Sequence, residues 1–360
     1  MAKIEKCEEK KVCTAEEKKI YAGKELFSGE YGKYLFTNFM EVEPWWYNDP
    51  TKFDKSTVVS VLSVNGTVLE SEKPWYINYS WKMKADPVGT GRQPTRHDES
   101  NTIIYFCGTT PEKQWDLNAE IEFTIENEKH IINKPCAVYI PKGVKFGPIS
   151  YTKLEHPVLQ IYICPDTPWY KNALDEMHPE TYESNEPIET YPMYGGKWGK
   201  CIITNPNRYE AAWYFSPAFD HSQYKDIVYL DGQALPGGVQ PYNTCYQWKF
   251  KPEPPLSGHP ENYHKTADEF VCFFGSDPEH PFDLGGEIEV TIGGEMHIVD
   301  RPCIVYIPHM MPHGPIWFRK VDRPMIQSFM LKEPYYYSDD DNNPSFNEKL
   351  RREAEAEGTL

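Results

Sequence analysis

The chain has 360 residues, enough for two domains of ordinary size, and a hydrophobic fraction of 39% lets it bury a real core. A net charge of −17, from 37 Lys+Arg against 54 Asp+Glu, excludes the basic footprint that nucleic acid and anionic membrane surfaces require. No run of about 18 apolar residues is present, so no membrane-spanning helix is expected.

Taken in chain order, residues 1–24 are a charged N-terminal arm. Met1–Lys10 has no apolar stretch of the kind a secretory signal carries, so the expected location is cytoplasmic. The nine cysteines are scattered and include no Cys-x-x-Cys pair, which reads as reduced thiols in a reducing compartment. Residues 25–165 and 192–332 are then two copies of one unit. His130-Ile131-Ile132 recurs as His297-Ile298-Val299, and Pro135-Cys136-Ala137-Val138-Tyr139-Ile140-Pro141 as Pro302-Cys303-Ile304-Val305-Tyr306-Ile307-Pro308, at an offset of 167 (308 − 141 = 167). The offset also pairs Gly147-Pro148-Ile149 with Gly314-Pro315-Ile316, Tyr79 with Tyr246, Trp81-Lys82 with Trp248-Lys249, and Gln160 with Gln327. Cys107 is matched with Cys272 on the same basis.

Inside each copy the pattern is that of strands. Glu287–Ile292 alternates polar and apolar with period two, Gly293-Gly294 reads as a hairpin turn, and Cys303–Ile307 is a short apolar run ended by Pro308. Many short strands punctuated by Pro and Gly predict an all-β protein of two tandem barrels. Between the copies, residues 166–191 form an acidic linker with a short helix expected at Lys171–Met177. Residues 333–360 form an acidic tail with a helix expected from Ser345 to Glu357.

The second copy carries the candidate chemistry. His264 and Glu269 are five residues apart, so on one straight strand they would face opposite sides. They converge only if the chain bends, and Thr266-Ala267-Asp268 is the expected bend. His313 follows the strand that ends at Pro308. Two imidazoles and one carboxylate suit a divalent transition metal. In the first copy the same positions hold His97, Thr102 and Phe146, so the first barrel is expected to be metal-free. His130 and His297 occur in both copies, metal set or not, which assigns them to strand packing or hydrogen bonding.

These residues carry a family resemblance. Asn262–Glu269 resembles the first cupin motif, His-x-His followed after a short spacer by Glu, and Pro308–His313 resembles the second, Pro-x-Gly-x-x-His. The chain is thus similar to a bicupin over both repeats. The resemblance implies two tandem jelly-roll-like, double-stranded β-helix barrels and one metal (Fe, Mn, Zn, Ni or Co) held by His264, Glu269 and His313. Asn262 stands at the motif's leading His and Met310 at its Gly, which favours three protein ligands, with Asn262 or His259 as an extra one. Glu269 is also a candidate general base if burial raises its pKa. Tyr246, Trp248 and Gln327 are candidates to line a substrate pocket.

The leading reading is a metal enzyme acting on a small organic molecule, with oxygenase, isomerase, lyase or hydrolase chemistry open. The two-barrel flavonol-cleaving dioxygenases make ring cleavage one option. A non-catalytic bicupin that binds or senses a small ligand is the alternative, and a metal-free isomerase with a His base is a third. A homodimer is expected, because exposed sheet edges need covering.

Overall fold

The structure is a computed structural model and describes residues 27–37, 47, 49–66, 69, 75–167, 170, 187–204, 222–232, 235–253 and 261–334. The N-terminal arm, the helix expected at Lys171–Met177, His259, the terminal helix at Ser345–Glu357, Cys7 and Cys13 lie outside these residues. The other seven cysteines are buried free thiols.

The strands in the first half are β1 (Leu35–Phe36), β2 (Val58–Val64), β3 (Tyr76–Lys82), β4 (Thr95–Arg96), β5 (Thr102–Cys107), β6 (Ala119–Ile125), β7 (Glu128–Ile132), β8 (Cys136–Ile140), β9 (Lys145–Leu154) and β10 (Val158–Cys164). The second half holds β11 (Glu189–Pro192), β12 (Ile202–Ile203), β13 (Tyr224–Leu230), β14 (Asn243–Lys249), β15 (Glu269–Gly275), β16 (Gly286–Ile292), β17 (Glu295–Val299), β18 (Cys303–Ile307), β19 (His313–Val321) and β20 (Met325–Leu331). The first unit joins a six-stranded sheet, β12-β8-β5-β10-β3-β2, to a five-stranded one, β11-β7-β6-β9-β4. The second joins β1-β18-β15-β20-β14-β13 to β17-β16-β19. Both units are therefore the expected two-sheet β-barrels, and their strands repeat in kind and order.

Each barrel closes over its own core. In the second barrel Val271, Phe273, Ile288, Val290, Val305, Ile316 and Met325 fill the interior; Ile104, Phe106, Ile121, Phe123, Val138 and Phe146 do so in the first. The large sheets are buried on both faces. All seven residues of β15 are buried, whereas β16 alternates because one of its faces meets water. That is why Phe270–Phe274 reads as an unbroken apolar run and Glu287–Ile292 as a clean period of two. The strand register also corrects one sequence match. Cys107 sits opposite Leu159 and Phe274 opposite Ile326, so Phe274 is the counterpart of Cys107, and Cys272 falls at the place of Tyr105.

The repeat boundaries and the compact units do not coincide. Residues 27–35 group with the second unit, and the segment up to Thr204 groups with the first. Within the second unit, Glu295 of β17 accepts the backbone N–H groups of Glu30 and Tyr31 at 3.0 Å each. Within the first, Glu128 of β7 accepts those of Lys197 and Trp198 at 3.0 and 2.9 Å. These are the same positions of the repeat, so the leading turn of each copy is held in the barrel formed by the other. The expected boundaries at 25 and 192 are corrected accordingly, and the end of the expected linker is strand β11, paired in parallel with β7. Gly29 and Gly196 are required here: both have positive φ, and a Cβ on either would lie within 2.4 Å of the carboxylate.

His130 and His297 lie beside these carboxylates, at 3.6 Å from Glu128 and 3.8 Å from Glu295. Burial holds both imidazoles below the usual histidine range, although the carboxylates oppose it. A folded-state pKa below the unfolded one means that the unfolded chain binds more protons as pH falls below about 6.5, so stability is complete above that pH and declines beneath it. The double change His130→Phe, His297→Phe is expected to flatten the fall in urea midpoint between pH 6.5 and 5. An unchanged slope would assign the acid sensitivity to other groups.

Candidate metal centre

The three second-copy residues meet at one end of the second barrel. The chain bends at Lys265–Thr266 and enters β15 at Glu269, so the five-residue spacing brings His264 and Glu269 together as expected. The second segment is tied to the first by its backbone. Asn262 and His313 exchange N–H···O bonds of 2.8 and 2.9 Å, and the Met310 N–H donates to the His264 carbonyl at 2.7 Å. Met310, at the resemblance's Gly position, has φ 64, the left-handed conformation that glycine adopts at no steric cost. The missing Gly is thus a departure of side chain and not of backbone.

Glu269 Oε2 is the common point of the set. It lies 2.9 Å from His313 Nε2 and 3.5 Å from His264 Nε2, and the three ligand atoms fall within 4.8 Å of one another. The two rings lie 5.5 Å apart, tilted by 31°. All three residues are buried. His313 Nδ1 is 3.0 Å from the Met311 carbonyl, an acceptor only, so Nδ1 carries a proton and Nε2 is the atom turned toward the carboxylate. A carboxylate and two imidazoles that close, shielded from water, suit a shared positive charge, a proton or a metal ion. Metal–ligand bonds of about 2.1 Å at right angles place neighbouring ligand atoms about 3.0 Å apart, and at tetrahedral angles about 3.4 Å. The donor set therefore fits a divalent transition metal.

Burial alone would raise the Glu269 pKa, but hydrogen bonds and positive charge from protonated His264 and His313 overcome it and hold the carboxyl well below its usual range. The arrangement keeps Glu269 ionised, as a ligand must be.

The other candidates divide by strand face. Residues directly opposite in an antiparallel pair share a face, so Glu269, Leu331 and Asn243 form one inward row, and Phe273, Gln327 and Gln247 another. Gln327 faces the interior, about 13 Å along the strand from Glu269 at 3.3 Å per residue. Tyr246 and Trp248 lie on the alternate residues of β14 and face the opposite side of the sheet, where both are fully buried. They are scaffold, and their assignment to the pocket is corrected. Asn262 is placed beside His313 with its Oδ1 buried.

Sequence reasoning missed two features. Asn243 is fully buried in the inward row, accepts the Tyr229 hydroxyl at 3.1 Å, and leaves its Nδ2 without a partner among the described residues. Its counterpart in the first copy is Tyr76, so a repeat-based reading gave no signal there. Asp268 accepts the Tyr306 hydroxyl, the His309 N–H and His309 Nδ1 at 2.9, 2.9 and 3.0 Å.

The first barrel has no such set among the described residues. His97 Nε2 is instead 2.5 Å from the Tyr162 hydroxyl, and its ring lies 6.0 Å from that of Phe146, the residue at the place of His313. An aromatic cluster fills the position that the second barrel gives to its ligands.

No family profile matches the chain, and no curated protein matches it in sequence. Solved structures of Bacillus subtilis oxalate decarboxylase align with it. A point mutant does so at 14% identity and TM-score 0.48 over 86% of this chain and 83% of its own. A deletion mutant does so at 12% and 0.47 over 91% and 86%. A third, described for its Mn(II) centres, aligns at 12% and 0.46 over 79% and 78%. Identities and TM-scores this low carry none of that enzyme's chemistry to this chain. The doubled unit and the paired sheets that close each barrel give this chain an all-β fold of two tandem barrels, with a set of two imidazoles and a carboxylate where the strands of one barrel begin.

Proposed function

We propose that the protein is a mononuclear metal enzyme acting on a small organic molecule at the open end of its C-terminal barrel. The observation that carries this reading is the meeting of Glu269 Oε2 with the Nε2 atoms of His264 and His313, all three side chains buried. Fe, Mn, Zn, Ni and Co all suit the donors, and the bound ion would supply Lewis-acid or redox chemistry. The chain supplies the rest. Ile307, Val305 and Phe329 shape an apolar interior beside the ligands, and the Asn243 amide offers an unused donor to a carbonyl or carboxylate oxygen of a substrate. Asn262 is the side chain nearest in the chain to completing the ligand shell, since its backbone is paired with that of His313.

The test has two stages. Protein loaded in turn with each of the five metals and dialysed is expected to retain one ion per chain. The loaded forms are then screened with small phenols and hydroxy or keto acids, with and without oxygen, and turnover in at least one condition is expected. Retention of no ion refutes the reading. Tight metal binding with no turnover of any such compound shifts it to the ligand-binding alternative.

A further inference from the structure

A buried amide costs free energy in an apolar barrel unless all of its groups are bonded. Asn243 on β14 is fully buried and only half satisfied. Its Oδ1 accepts the Tyr229 hydroxyl at 3.1 Å, while its Nδ2 has no partner among the described residues. The amide is planar, so the bond from Tyr229 also fixes Nδ2, which is turned away from the phenol. The phenol ring is itself seated against Phe329, with centroids 5.8 Å apart. A leucine of similar size would fill the place with no orphaned donor. The first barrel, which lacks the ligand set, carries no amide here. Tyr76 stands opposite Cys164 as Asn243 stands opposite Leu331, and its ring packs on Tyr162 and Tyr170 at 6.3 and 5.9 Å.

Asn243 shares its face with the ligands. Glu269, Leu331 and Asn243 are directly opposite one another on β15, β20 and β14, so the carboxylate and the amide point into one interior with a single strand between them. Two interstrand spacings put their backbones about 10 Å apart. A ligand of a few non-hydrogen atoms spans the gap between a cation at Glu269 Oε2 and the amide Nδ2. Charge narrows the choice of ligand. Beside Glu269 and Asn243, this row and the next carry Ile307, Leu331, Val305, Val271, Phe329 and Cys245, and no lysine or arginine among the described residues. Lys249 is on the same face of β14, but about 20 Å further along the strand, and it is paired with Glu253. A second carboxylate at Asn243 would therefore meet a neutral amide and apolar walls with no counter-charge. An uncharged carbonyl oxygen satisfies the Nδ2 donor without that penalty.

We propose that Asn243, positioned by Tyr229, is the specificity-determining donor of the C-terminal site. Its ligand is a small compound with an acidic, metal-binding oxygen at one end and an uncharged carbonyl oxygen (keto, ester or amide) at the other. Nδ2 donates to that carbonyl and orients the molecule across the barrel, and the missing counter-charge disfavours dicarboxylates. This inference deepens the metal reading above and rests on it.

The experiment loads wild type, Asn243→Leu, Asn243→Ala and Tyr229→Phe with Co²⁺ and titrates each with levulinate, valerate and glutarate. Binding is followed by the visible absorbance of the ion and by calorimetry. The probes share one chain length and differ in carrying a keto oxygen, no second oxygen group, or a second carboxylate. All four proteins are expected to retain one Co²⁺, since neither residue is a ligand. Wild type should bind levulinate about tenfold or more tighter than either other probe. Both Asn243 variants should lose the preference over valerate, and Tyr229→Phe should reduce it. Equal affinity of cobalt-loaded wild type for levulinate and valerate, or no binding of any probe, would overturn the inference and leave the metal reading intact. An unchanged preference in the Asn243 variants would do the same, as would tighter binding of glutarate than of levulinate. Loss of cobalt from the Asn243 variants would also overturn it, making Asn243 a support of the ligand set. If neither Asn243 variant folds, Tyr229→Phe decides: a reduced preference supports the inference and an unchanged one overturns it. Absence of cobalt from wild type would remove the metal reading, and this inference with it.

Discussion

Replacing Glu269 with Gln, or His313 with Ala, is expected to weaken divalent-metal binding by more than about 100-fold, since even the outer partners of metal ligands are worth about 10- to 100-fold. Either change removes one of the three donors that converge on Glu269 Oε2. His264→Ala should behave in the same way. Protons compete with the metal for its ligands, so wild-type affinity should also fall as the pH is lowered. The measurement is metal content by mass spectrometry after dialysis, with circular dichroism to confirm the fold. A protein with His313→Ala that keeps one tightly bound ion per chain would show that the cation sits elsewhere.

The second large effect concerns stability. Lys249 ends β14 and pairs with Glu253, both side chains being 4% exposed. The ammonium also lies 4.4 Å from the Phe318 ring, and Glu253 accepts the Phe318 N–H at 3.2 Å. Burial pulls the Lys249 pKa down, against the opposing effect of Glu253. The first copy repeats the arrangement with Lys82 and Asp86, whose side chains are 6% and 1% exposed. Lys249→Met leaves the Glu253 charge buried and unpaired, and is expected to cost about 3–5 kcal/mol in urea unfolding. Lys249→Met combined with Glu253→Gln keeps an acceptor for Phe318 and should recover most of that loss. A cost under about 1 kcal/mol for the single change would show that the carboxylate finds water. The lysine takes no part in the metal site. Lys249 is opposite Met325 and Glu269 opposite Leu331, the two ends of β20, about 20 Å apart along the strand.

The duplication was legible because residues that both barrels need for the same local reason, such as Pro141 and Pro308 or Gly147 and Gly314, stayed in place. The ligand set was legible because Glu269 and His313 stand where the first copy has Thr102 and Phe146, and because an odd spacing demanded a bend, which Lys265–Thr266 provides one residue earlier than expected. The facing of Tyr246 and Trp248 was not legible. A strand buried on both sides shows no alternation, so its pattern does not say which side is the barrel interior. The capture of Glu30 and Tyr31 by Glu295 was hidden as well, since a carboxylate that accepts backbone N–H groups leaves no trace of its partner in sequence. Asp268 and His309 escaped notice because in the first copy Asn101 accepts the Lys142 N–H at the same places, and only the paired geometry distinguishes the two.

The crossed assignment of the leading turns has a consequence for ancestry. A single-copy forebear of this design would have had to take the turn that caps its Glu128-like carboxylate from a sister molecule or fold its own back. Fusing two copies into one polypeptide makes the loan permanent: the lender is always present, at the high effective concentration of a tethered neighbour. The aromatic plug of His97, Phe146 and Tyr162 shows that a barrel of this design also closes with no ligand set at that place.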